Sequence, residues 1–169
     1  MTHNVISYEK SFASHEKATY WSEKNELKPE NILNNKSSTK YWFYCQKCGH
    51  DFEIALCHIN EGKWCSYCAN KKLCDNDNCK ICFDKSVASH EKSKNWSNDN
   101  KLKPRDVFKG SNCYYLFKCD KCNHTFEQQI YHVCNNNIWC NYCSHNKLCI
   151  DNECILCFNN SFASHDKSK

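Results

Sequence analysis

The chain repeats itself at a spacing of 75 residues, and no other feature limits the fold as much. Ser11-Phe12-Ala13-Ser14-His15-Glu16-Lys17 recurs as Ser86-Val87-Ala88-Ser89-His90-Glu91-Lys92 and begins again as Ser161-Phe162-Ala163-Ser164-His165-Asp166-Lys167. Trp21 maps onto Trp96, Leu27-Lys28-Pro29 onto Leu102-Lys103-Pro104, and Trp64-Cys65-Ser66-Tyr67-Cys68 onto Trp139-Cys140-Asn141-Tyr142-Cys143. Loop changes shift the middle of the repeat, so Cys45 and Cys48 map onto Cys119 and Cys122 at an offset of 74. The expected organisation is a tail at 1–10, modules at 11–85 and 86–160, and the start of a third copy at 161–169. Modules this small bury too little apolar surface to fold without a covalent or metal staple.

Cysteine supplies the staple: 17 of 169 residues, an odd count. Disulfide scaffolds reach that density in oxidising compartments and metal proteins reach it in reducing ones. Residues 2–10 are polar and mixed, so no signal peptide is expected, and the mean hydropathy of −0.84 fits no membrane span. An intracellular, reducing compartment follows as the expectation. The spacing points to metal, because Cys-x2-Cys lets two thiolates chelate one ion from a tight turn. Cys45 and Cys48 with Cys65 and Cys68, and Cys119 and Cys122 with Cys140 and Cys143, have the spacing of four-cysteine zinc sites. Gly49 and Asn123 follow the first pairs, where the knuckle turns through a left-handed conformation.

A second cluster of three follows in each copy: Cys74, Cys79 and Cys82, then Cys149, Cys154 and Cys157. His90 and His165 stand at equivalent places after these clusters and are expected to complete sites of three cysteines and one histidine, giving four Zn2+ per chain. The same local sequence surrounds His15, which no cysteines precede. The alternative is therefore a helix start, with another residue or water as fourth ligand. A cross-brace that joins Cys45 and Cys48 to Cys74 and Cys79 also stays open on spacing. His50, His124, His58 and His132 read as packing groups or hydrogen-bond partners of ligands, Trp64 and Trp139 as covers for the metal, and Cys57, Cys113 and Cys134 as small hydrophobes or free thiols.

Local patterns predict a short helix from Ser11 to Ser22, ending near Trp21, and its equivalent ending near Trp96. Aromatic runs at 41–45 and 115–119, followed by alternation at His50, Phe52, Ile54 and Leu56, predict hairpins with a zinc knuckle at the tip. The fold class is small α+β zinc-stapled modules. With Trp21, Asn25, Leu27-Lys28-Pro29-Glu30-Asn31-Ile32, Cys45-Gln46-Lys47-Cys48-Gly49-His50-Asp51-Phe52 and Cys65-Ser66-Tyr67-Cys68, the chain resembles the tandem treble-clef or zinc-ribbon-like repeats of giant DNA viruses and bacteria. The second copy matches through Trp96, Pro104, Cys119, Cys122, His124, Phe126, Cys140 and Cys143. Ser66 and Asn141 depart from that pattern, which usually has Pro there, and the aromatic after the knuckle histidine is often Trp. The extra three-cysteine cluster resembles a mimivirus-like variant.

The resemblance implies nucleic-acid binding, but bulk charge does not. The basic residues are lysine except for Arg105, a bias that an AT-rich genome explains. Fourteen thiolates and four Zn2+ would move the formal charge from +4 to about −2. Two readings follow: a sequence-tolerant DNA- or RNA-binding module using Lys71, Lys72 and Lys147, or a structural or protein-interaction module engaging viral or host proteins, in a virion or host cytoplasm. A small-molecule substrate and enzymatic activity are not expected, because saturated zinc sites leave no open position, and neither the central Cys-x-His of a RING ligase nor a deaminase signature is present.

Overall fold

The structure is a computed structural model that describes residues 6–166; residues 1–5 of the expected tail and 167–169 of the third copy lie outside the described residues. Its contacts divide the chain into two compact units, one reaching to Lys72 and the other beginning at Leu73.

The first unit is a hairpin with an irregular N-terminal cover. Strand β1 (Lys40–Cys45) pairs antiparallel with β2 (His50–Ala55), from Lys40 opposite Ala55 to Cys45 opposite His50, and a short helix α1 (Leu56–Asn60) follows directly. Phe43 and Phe52 face each other across the ladder and are buried on the face that Phe12 and Trp21 cover. The helix expected from Ser11 to Ser22 is instead a chain of 3-10 turns, Phe12–Ser14 and Glu16–Tyr20, broken at His15. His15 adopts an extended conformation (φ −79°, ψ 140°) and its Nδ1 accepts the Lys17 N–H at 3.0 Å, so it caps the second turn rather than continuing the first.

Asn25 explains how this cover is attached. Its side-chain amide donates to Trp42 O (2.7 Å) and Ser22 O (3.0 Å), and its Oδ1 accepts Trp42 N–H (2.9 Å). One asparagine thereby pairs with the outer edge of β1 as a further strand would. Trp21 bridges to Phe43 beside it and donates its indole N–H to Leu27 O at 3.0 Å, which fixes the turn before Pro29.

The second unit repeats this design. Strand β3 (Tyr114–Lys118) pairs with β4 (Thr125–Gln129), followed by α3 (Ile130–Asn135). Asn100 contacts Leu116 O (2.8 Å), Leu116 N (2.9 Å) and Ser97 O (3.1 Å), and the Trp96 indole donates to Leu102 O at 2.9 Å. The core gathers Val87, Val107, Phe117, Phe126, Ile130 and Val133.

This unit also contains residues expected to close the first module. Helix α2 (Lys80–Lys85) precedes the 3-10 turn Val87–Ser89, Lys85 O accepts from Lys109 N at 3.1 Å, and Val87 N donates to Val107 O at 2.8 Å. Arg105 Nη2 reaches Asn76 O at 2.9 Å and Cys74 Sγ at 3.6 Å. The division between the compact units therefore falls inside the module expected at 11–85, before its three-cysteine cluster. Helix α4 (Ile155–Asn159) occupies the equivalent of α2 near the end. Among the described residues no helix is long and apolar enough to cross a membrane.

Candidate metal centres

The hairpin tips bend so that their cysteines converge. After Cys45, the N–H groups of Cys48 (3.3 Å) and Gly49 (2.7 Å) return to its carbonyl, and Gly49 takes φ 67°. Asn123 does the same in the second unit, with φ 59° and N–H to Cys119 O at 3.1 Å, as the knuckle spacing predicts. The second pair lies in a matching turn closed by Asn70 (φ 55°) and, in the other copy, His145 (φ 61°).

These turns place Cys45 Sγ 3.7 Å from Cys68 Sγ and Cys48 Sγ 3.5 Å from Cys65 Sγ; the second unit has Cys119–Cys143 at 3.6 Å and Cys122–Cys140 at 3.5 Å. A disulfide needs about 2.05 Å. Four thiolates around one zinc at about 2.3 Å stand about 3.8 Å apart, so these separations are those of a tetrahedral thiolate site. Cys45 and Cys48 thus converge with Cys65 and Cys68, which removes the cross-brace. Burial pushes the Cys119 thiol up, but the N–H groups of Cys122 and Lys121 outweigh it and bring it from 9.0 down to about 7. Burial pushes Cys122 up to about 11. In both knuckles backbone N–H groups aimed at the first sulfur favour its thiolate form.

The three-cysteine cluster of the second unit finds its histidine in the knuckle. His124 Nε2 lies 3.4 Å from Cys154 Sγ and 3.6 Å from Cys157 Sγ, and with Cys149 these four donors form one group. A tetrahedral zinc with Zn–S near 2.3 Å and Zn–N near 2.05 Å would place N and S about 3.5 Å apart, so the donor set fits the ion. The His124 ring is stacked on Tyr142 with centroids 4.1 Å apart and planes 14° apart, which holds Nε2 toward the sulfurs. Cys149 N donates to Cys157 Sγ at 3.3 Å, which ties that sulfur to the start of the cluster.

This corrects the sequence expectation for the fourth ligand. His165 is exposed and stacked on Phe162, and His90 caps the turn Glu91–Asn95 by accepting Lys92 N–H on Nδ1 at 3.2 Å. Their recurrence with His15 marks a capped 3-10 turn, and burial holds the His90 ring below its usual pKa, the neutral state a cap acceptor needs. His124, read as a packing group because the four-cysteine sites looked complete, serves the other cluster. In the first repeat His50 stands where His124 does, at the 74-residue offset, with Cys74, Cys79 and Cys82 where Cys149, Cys154 and Cys157 stand. His50 is likewise stacked on its tyrosine, Tyr67, at 4.2 Å and 16°. The missed signal was available: a histidine two residues after each knuckle, at the same place in both copies.

Trp64 and Trp139 pack edge-on against the hairpin aromatics, Phe43 and Phe52 in one unit and Phe117 and Phe126 in the other. They seal the hydrophobic face next to the second cysteine pair. Of the unmatched cysteines, Cys113 is exposed, and Cys57 and Cys134 are half-buried.

Four tetrads, two per sequence repeat, fit four zinc ions. A family profile described as "Probable Treble clef zinc finger domain" matches residues 17–71 and 92–146. The chain is also 42% identical over 163 residues to a protein of Acanthamoeba polyphaga mimivirus named "Uncharacterized protein R635". That similarity covers 93% of this chain and 39% of the viral protein, so the chain spans about two fifths of that relative's length. With its converging cysteine pairs and both profile matches, this chain belongs to the treble-clef zinc finger family as a tandem zinc-binding member.

Proposed function

We propose that the protein is a non-enzymatic, zinc-stapled nucleic-acid-binding module that holds phosphates with little regard to sequence. The observation that carries this reading is the placement of one lysine at the same point in both repeats. Lys72 Nζ lies over the Tyr67 ring at 5.6 Å and Lys147 Nζ over the Tyr142 ring at 5.5 Å. Those are the rings on which His50 and His124 stack, so the charge is presented beside the histidine of each three-cysteine, one-histidine group. Lys71, next to Lys72, adds a second exposed charge in the first repeat.

Base reading is not supported by the same residues. Bidentate recognition of guanine uses Arg. Arg105, the one arginine, is spent on Asn76 O and Cys74 Sγ. The zinc ions would act as structural staples, because four protein donors per group leave no position for substrate. Titration of duplex and single-stranded DNA or RNA at low salt should give weak, sequence-insensitive binding that is mostly lost at physiological salt. Absence of binding to every polymer at low salt would overturn this reading.

A second reading is supported by a different surface. Ile150, Ile155, Phe158 and Phe162, on or close in sequence to α4, are each exposed, Ile150 fully and Phe162 to 74%. Apolar exposure of that kind suits a structural or protein-interaction role in a viral particle or infected cell, a setting consistent with the mimivirus relative. Capture of one specific protein by the zinc-loaded chain, lost on Phe162→Ser, together with no nucleic-acid binding, would favour it.

A further inference from the structure

We infer that phosphate binding is concentrated in a basic groove of the first unit and is absent from the equivalent surface of the second. This rests on the reading of the protein as a nucleic-acid binder. The groove, of about 570 Å3, is lined by Lys40, Lys63 and Lys71, with His58, Trp64 and Glu53. Four different segments bring these side chains together. Lys40 opens β1, His58 lies on α1, Lys63 follows the left-handed turn at Gly62, and Lys71 follows the second cysteine pair. All three lysines are exposed, and Lys40 and Lys71 form no ion pair among the described residues. Lys63 pairs with Glu61 at 2.7 Å, but both side chains are more than half exposed, so a phosphate can displace that carboxylate.

The same positions in the second repeat carry no such charge. The strand registers, Lys40 opposite Ala55 and Tyr114 opposite Gln129, equate Lys40 with Tyr114. Trp64 and Trp139 equate Lys63 with Ile138, and the cysteine pairs equate Lys71 with Asn146. Three lysines become a tyrosine, an isoleucine and an asparagine, while His58 keeps its counterpart in His132. The fold is common to both units and the groove's charge is not, so the charge is not a requirement of folding.

The ligand class follows from what the groove offers. Three lysine ammoniums on a rim suit successive phosphates of a backbone. The Trp64 indole is already engaged by Tyr20, Phe43 and Phe52, with Lys17 Nζ at 5.4 Å, so its ring is not available to stack a base. Binding through this groove is therefore to the polyanionic backbone alone.

The test compares the intact zinc-loaded chain with a Lys40→Gln, Lys63→Gln, Lys71→Gln variant and with a Tyr114→Lys, Ile138→Lys, Asn146→Lys variant. Each is first checked for four zinc ions, then titrated by fluorescence anisotropy with a short duplex across a salt series. Removing three contacts should flatten the slope of log K against log salt by about 2.7, and grafting the lysines should steepen it by a similar amount. If the wild type binds and the Gln variant keeps its slope, the groove is not the site although nucleic-acid binding stands. If the wild type binds no nucleic acid, the functional reading fails and this inference fails with it. Binding of polyglutamate in preference to DNA would make the groove a site for acidic protein and overturn the assignment.

Discussion

Replacing His124 with Ala removes one of the four donors around Cys149, Cys154 and Cys157, whereas His165 belongs to none of the four donor groups. Structural zinc in small domains contributes about 10–16 kcal/mol of apparent binding free energy. Shared equally among four donors, that is about 3–4 kcal/mol for the histidine, or about 10²- to 10³-fold in affinity. Loss of the Tyr142 stack, an aromatic contact at 4.1 Å, adds about 0.5–1.5 kcal/mol of lost packing. Competition with a graded series of zinc chelators, followed by native mass spectrometry, should show one ion leaving His124→Ala at chelator strengths the wild type resists. The four-cysteine ion bound by Cys119, Cys122, Cys140 and Cys143 should stay. His165→Ala and His90→Ala should match the wild type in metal content. Full zinc retention by His124→Ala, with loss of an ion from His165→Ala, would refute the assignment.

Three other outcomes are expected. Native mass spectrometry of the wild type should find four zinc ions, and complete chelation should abolish the near-ultraviolet dichroism of the aromatic cores; disulfides between the pairs in place of zinc would overturn the staple. Asn100→Ala removes three hydrogen bonds to Leu116 and Ser97 and should cost about 2–4 kcal/mol in denaturant unfolding of the zinc-loaded chain, with Asn25→Ala similar; a loss below about 0.5 kcal/mol would show that β1 and β3 do not need this edge partner. Because burial lowers the folded pKa of His90, its cap contributes fully above the unfolded value of about 6.5 and is lost as pH falls through the lower folded value. An NMR titration of the His90 ring above 6.5 would contradict this.

The hairpins and the four-cysteine groups were legible because each depends on short-range signals: alternation in the strands, paired thiols, and Gly or Asn at a left-handed turn. Asn25 was visible only as part of a family pattern. Its role in pairing with Trp42 needs a contact across seventeen positions, which periodicity does not report. The histidine assignment failed for a related reason. His165 was chosen by nearness along the chain, while His124 reaches Cys157 across thirty-three residues because the knuckle folds back over the later cluster. The helix expected from Ser11 misread a cap: His15, like His90, takes the following N–H on its own side chain, and that local bond interrupts the α-helical ladder.

The contacts of Arg105 bear on how such arrays can change over generations. Duplication copies a chain in units of 75 residues, but Arg105, in the second copy, is bonded to Asn76 and Cys74, which the first copy encodes. Lys85 and Lys109 are joined across the same seam. The packing is thus out of phase with the gene-level repeat: the unit boundary at Lys72–Leu73 falls inside the first copy, and these bonds cross from that copy to the next. A copy inserted or deleted at a repeat boundary would present its turn at Pro104–Asp106, or its equivalent at Pro29–Asn31, to a three-cysteine loop from a different parent. Glu30 occupies the equivalent of Arg105, so the two copies are not interchangeable at that joint. Neighbouring copies must diverge as matched pairs, and reshuffling them would select against arrays in which a carboxylate meets the cysteine sulfur.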